Sequence, residues 1–135
     1  MRKLTWLLAG VLVVMFGIGL SAQYAGWAIP PGGKDEKSPL TASPDVLAKG
    51  KDIFTKNCQR CHGSEGKGDG PESDPKDPAA DLSDEFRAAL NPDGIMFYRV
   101  LNGHTPPTMP AFKDKLSTDE IWTVVAYAKS LRKPS

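Results

Sequence analysis

The two cysteines of the chain, Cys58 and Cys61, are separated by two residues, and His62 follows directly. Thiols and an imidazole at this spacing can serve four chemistries. A disulfide across two intervening residues would close too small a loop to stabilise much. A thioredoxin-like redox pair needs a strand-turn-helix setting, and no strand pattern stands out. A zinc site needs further ligands nearby, but the only other histidine is His104 and no cysteine remains. Covalent haem attachment needs this set: two thiols add across the vinyl groups, and the adjacent histidine supplies an axial nitrogen. Cysteines one helical turn apart reach two sites on one edge of the macrocycle, and the next residue can turn its ring under the metal. The pattern points to one haem c, held by Cys58 and Cys61, with His62 as the proximal iron ligand.

That leaves one axial position. Met1 and Met15 belong to the N-terminal apolar leader, and Met96 sits within DGIMFYRVL, where helical periodicity explains it as core. Met109 lies in HTPPTMPAF, a loop with no periodicity. Pro106, Pro107 and Pro110 restrict that loop, so a sulfur in it has little entropy left to lose. Met109 is therefore the candidate distal ligand. His104, the other donor, follows Asn102-Gly103 and reads as an exposed loop residue after a helix end. His/Met ligation fills both axial sites and raises the potential. With no open site the iron has nowhere to bind a small-molecule substrate, so the expected activity is one-electron transfer without catalytic residues. A haem sensor or peroxidase, which needs an openable site, is the competing class, and carbon monoxide binding at neutral pH separates the two.

The elements that must position these residues are helical. Ser43 is a capping residue followed by Pro44 at a first helical position, and apolar residues recur from Val46 to Phe54 with helical spacing. The helix runs straight into Asn57-Cys58. The glycine-rich GSEGKGDGP comes next, but it follows no strand, which argues against phosphate binding. SDEFRAAL reads as a short helix capped by Ser83, and NPDGIMFYRVLNG as another, capped by Asn91 and ended by Gly103. Ser117 and Glu120 form a capping box for a last helix with the stripe Ile121, Val124, Val125, Ala128 and Leu131. About 90 residues of short helices and long loops make a thin core. A haem, large and apolar, would fill it.

These residues carry a resemblance. CQRCHG at the end of the first helix, GHTPPTMPAF, and LSTDEIWTVVAYAKSL as the closing helix make the chain resemble a class I monohaem c-type cytochrome, and the haem domains of cbb3-type oxidase cytochrome c subunits. The match covers about residues 44–133. It implies an all-α cytochrome c fold of three to five short helices packed around one covalently bound haem, with the first and last helices crossing. At that crossing a small residue meets an aromatic: Gly50 and Phe54 match the first side, Tyr127 the second, with Trp122 the alternative. The family also places its methionine ligand in a motif like MPAF.

Arg2 and Lys3 precede an apolar run from Leu4 to Leu20, and no charge recurs until Lys34. Trp6 and Trp27 are 21 residues apart, about 31 Å on a helix and close to the thickness of a bilayer core. Residues 1–27 are thus expected to be an uncleaved membrane anchor, or else a removed signal. Residues 28–43, rich in Pro, Gly and Ser, read as a flexible linker, and 44–135 as the haem domain. The basic leader should stay on the cytoplasmic side, which puts the haem domain on the periplasmic face of a bacterial cytoplasmic membrane, or free in the periplasm after cleavage. Beyond the leader the chain has 15 basic and 16 acidic side chains, and no basic face for nucleic acid. Residues 63–85 carry eight acids and two lysines; this acidic lobe either steers a partner or merely solvates a loop. Arg60, Lys113 and Lys115 are placed nearer the methionine side. The expected partners are redox proteins: a membrane quinol-oxidising complex, a terminal oxidase or a reaction centre. A fixed subunit of such a complex is the alternative to a tethered shuttle.

Overall fold

A computed structural model describes residues 25–106 and 108–132. The expected anchor falls on residues 1–24 for all but its last three positions, and so lies outside the described residues. Among those described, no helix is long and apolar enough to cross a membrane.

The described chain is all-helical, with no strand among the described residues. Helix α1 is Pro44–Asn57, α2 Gln59–His62, α3 Glu85–Ala88, α4 Asp93–Asn102 and α5 Thr118–Ser130. Helix α1 starts as its sequence dictates: Ser43 Oγ accepts from Val46 N at 3.3 Å, and Pro44 needs no donor of its own. Helix α5 carries the complete capping box, with Ser117 and Glu120 bonded reciprocally. The other two starts differ from expectation by one residue. Asp84, not Ser83, caps α3, because the Ser83 hydroxyl donates to Asp81 at 2.7 Å. Pro92, not Asn91, is the N-cap of α4. The Asn91 side chain is engaged elsewhere, donating to Arg87 O and accepting from Arg99.

Helices α1 and α5 cross in the largest helix–helix interface. Gly50 makes that approach possible: a Cβ there would lie 2.6 Å from Thr123 O and 2.6 Å from Tyr127 Cβ. One turn on, Phe54 is buried and its ring centroid is 5.4 Å from that of Tyr127. Trp122 instead stacks on Phe97 of α4, centroids 4.2 Å apart, in a core cluster with Ile121 and Val125. The stripe read from α5 is the buried face, with Ile121, Val124, Val125 and Ala128 all inside. Asp93 at the start of α4 is ion-paired with Lys129 of α5 and accepts from Ser38 N at 3.1 Å.

Residues 28–43 do not run free of the domain. Asn102 Nδ2 donates to Ala28 O at 2.7 Å, Tyr98 OH to Glu36 Oε2 at 2.7 Å, and Leu40 packs against the core cluster. A stretch composed like a linker is held as a strap along α4, by contacts from residues far away in sequence.

Candidate functional site

The end of α1 and the short α2 bring Cys58, Cys61 and His62 onto one turn. The backbone leaves α1 through Cys58, whose N–H still donates to Phe54 O at 2.8 Å, and re-enters helix at once: Cys61 N and His62 N both donate to Cys58 O, at 3.1 and 2.9 Å. Both thiols are free and half-buried. Burial, and then the charge that Cys61 would carry, push the Cys58 thiol up to about 12, so it is a neutral thiol at physiological pH.

His62 is fixed by a group outside its own helix. Its Nδ1 lies 3.0 Å from Ala80 O. A carbonyl can only accept, so Nδ1 carries the proton and Nε2 keeps its lone pair. Burial lowers the imidazole pKa, and the Ala80 carbonyl pulls the other way without cancelling it. A neutral ring with one nitrogen tied to a backbone carbonyl is the state in which histidine binds a metal. The loop 63–82 delivers that carbonyl. It folds back on α2 through Gly68 N to His62 O at 2.8 Å and Gly70 N to Cys61 O at 3.1 Å, and is closed on itself by Leu82 N to Gly66 O at 2.6 Å. Gly68 has φ +78°, and a Cβ there would lie 2.0 Å from Ala79 O, so no other residue fits. The glycines of GSEGKGDGP thus serve close backbone packing, beside the turn that holds the histidine.

Two reduced thiols a helical turn apart and an oriented, neutral imidazole beside them fit a covalently attached haem. Met109 comes from a separate segment, between α4 and α5. Gly103, at φ +66°, ends α4, and a Cβ there would meet Met109 O at 2.7 Å. His104 N donates to Met109 O at 2.9 Å. Met96 is placed where periodicity put it: it packs against the core cluster and its sulfur accepts from Arg132 at 3.2 Å. His104 is half-buried rather than a free loop residue; its ring meets that of Trp27 edge-on, centroids 4.7 Å apart. Arg60, on α2, is paired with Glu72 of the acidic loop at 3.3 Å. Both partners are more than half exposed, so that pair adds little stability. The Ala80 carbonyl and the Trp27–His104 contact had no signal in the sequence, one being backbone and the other a long-range pairing.

A family model described as cytochrome C oxidase, cbb3-type, subunit III matches residues 45–127. The chain is 33% identical over 90 residues to a cytochrome bc1 complex cytochrome c subunit of Corynebacterium diphtheriae. That match covers 66% of this chain but only 28% of the relative. Among solved structures, a chain of the Kuenenia stuttgartiensis reducing HAO-like protein complex is similar at 31% identity and a TM-score of 0.59, over 70% of this chain and 47% of that one. The KustC0563 c-type cytochrome shares the fold, at 24% identity and a TM-score of 0.51, over 62% of this chain and 98% of its own.

Proposed function

Since the chain belongs to the family of the cbb3-type oxidase subunit III, a monohaem c-type cytochrome domain carrying covalent haem c, we propose that it is a one-electron carrier whose haem is bound by Cys58 and Cys61 and ligated by His62 and Met109. When bound, the haem supplies the one-electron Fe(II)/Fe(III) couple. The observation that carries this reading is the His62 Nδ1 contact with Ala80 O at 3.0 Å, beside two free thiols on the same turn. Cys58 and Cys61 would fix the macrocycle by thioether bonds. His62 would present Nε2 in its unprotonated form, its ring held by the hydrogen bond from Nδ1 to Ala80 O. Met109 is the thioether left over, since the sulfur of Met96 is occupied by Arg132. With both His62 and Met109 bound to the iron, no site would be left for a substrate, and the group would carry electrons alone.

The sites of work follow from the same premises. Arg2 and Lys3 before the Leu4–Leu20 run support an extracytoplasmic haem domain on a membrane anchor. Redox proteins of the quinol-oxidising or terminal-oxidase kind are the partners. A fixed subunit of such a complex is favoured over a swinging shuttle by one observation: the strap from Ala28 to Leu40 is tied to the domain.

The test is expression in a host equipped for haem attachment. The purified protein should show a c-type haemochrome and, when oxidised, the weak far-red band of methionine sulfur on ferric iron. Cys58→Ala with Cys61→Ala should yield a colourless product, and Met109→Ala should lose the far-red band while keeping the haemochrome. A wild-type protein without colour overturns the reading. Co-migration with large haem or copper subunits in mild detergent supports the fixed-subunit form, and migration alone supports the shuttle.

A further inference from the structure

The start of the described chain lies over the loop that carries Met109. Thr105 N donates to Gly26 O at 2.8 Å, and Trp27 and His104 pair as an isolated antiparallel bridge. The His104 ring reaches both ways, with Nε2 3.2 Å from Ala25 O and Nδ1 2.9 Å from Pro106 O. Trp27 is itself held from below, with the Arg99 guanidinium 4.8 Å from its ring centroid. His104 also donates its backbone N–H to Met109 O at 2.9 Å. One residue therefore joins the strap, by its ring and its backbone bridge, to the methionine.

We propose that Trp27 and His104 are positioning residues for Met109: residues 25–27 clamp the loop from 104 to 109 and hold its sulfur where the iron needs it. The proposal rests on Met109 being the distal ligand. Its physical ground is that a thioether is a weak, neutral donor, so its bond survives only if little freedom is lost in making it. The prolines stiffen the loop internally but do not stop it moving as a body. The ends of α4 and α5 tether it at two points, and the strap adds a third that is remote in sequence.

The experiment uses the full-length haem-loaded protein with Gly26→Ala, Trp27→Ala and His104→Gln. A Cβ at Gly26 would lie 2.3 Å from His104 Nε2 and 2.6 Å from Thr105 O, so Gly26→Ala lifts the strap while leaving every side chain of the loop intact. Cyanide is the probe that competes with the sulfur for ferric iron. Gly26→Ala and Trp27→Ala should tighten cyanide binding roughly tenfold, as the loss of one or two net hydrogen bonds implies. They should also weaken the far-red band, lower the reduction potential, and speed exchange of the Thr105 amide. His104→Gln, which keeps a side-chain donor, should lie between them and the wild type. If Trp27→Ala does not fold, Gly26→Ala decides the matter. A wild-type far-red band with cyanide affinity unmoved in the folded variants overturns the clamp alone. A wild-type protein lacking the band overturns the Met109 assignment, and the clamp with it.

Discussion

Gly50 is the position where the crossing of α1 and α5 can be tested most directly. In Gly50→Ala the new methyl would stand 2.6 Å from both Thr123 O and Tyr127 Cβ. Ordinary carbon contacts lie at 3.5–4.0 Å, so the overlap is about 1 Å on two sides. Neither neighbour is the free end of a flexible side chain. Thr123 O is backbone, and Tyr127 Cβ is fixed by its own helix, so the helices must part. Overpacking of this kind costs roughly 1–3 kcal/mol. Alanine returns about 0.5–1 kcal/mol of helix propensity over glycine. The net expectation is a loss of about 1–2 kcal/mol, or a fall in Tm of roughly 5–10 °C for a domain of this size. Gly50→Val should lose more, because it adds volume and a β-branch to the same contact. Lys51→Ala, an exposed change one residue on, should stay within about 0.5 kcal/mol of wild type. The assay is denaturant and thermal unfolding of the haem-loaded protein, followed by far-ultraviolet circular dichroism. A Gly50→Ala protein as stable as wild type, or more so, would refute the close crossing.

Two further outcomes follow. Burial raises the Asp93 carboxyl pKa, but its bonds to Lys129 and Ser38 outweigh this and leave it depressed. Its folded pKa lies below the unfolded value of about 3.9, so its stabilisation is present above that pH and is lost as pH falls through the folded value. Asp93→Asn should therefore be less stable than wild type at pH 7, with the gap closing below about pH 4, as urea midpoints at the two pH values would show. Gly68→Ala would drive a Cβ to 2.0 Å from Ala79 O and displace the Ala80 carbonyl from His62. It should loosen the histidine, seen as faster exchange of the ring Nδ1 proton by nuclear magnetic resonance, even where the haemochrome is retained.

The local geometry around these residues was legible one turn at a time. Cys58, Cys61 and His62 needed only their spacing, because one helical turn fixes their relation without help from the rest of the fold. Ser43 and the Ser117–Glu120 box were legible for the same reason: a cap is satisfied within its own first turn. Ambiguity arose at the other two helix starts. Ser83 and Asn91 lost the role to Asp84 and Pro92 because Asp81, Arg87 and Arg99 engaged their side chains. The strap escaped notice on different grounds. Pro, Gly and Ser mark a chain that avoids helix and strand, but they do not say whether it lies on a surface. That was decided by Asp93, Tyr98 and Asn102, some 55 to 74 residues away. The carbonyl that orients His62 belongs to an alanine, a side chain with no chemistry to notice.

The meeting of α1 with α5 also orders events during synthesis. The thiols and their histidine are complete once residue 62 has emerged, whereas Thr123 and Tyr127, against which Gly50 packs, come near the far end. Of the described helices, the first packs mainly against the last. A chain cut before residue 118 would lack the surface on which Gly50 and Phe54 pack.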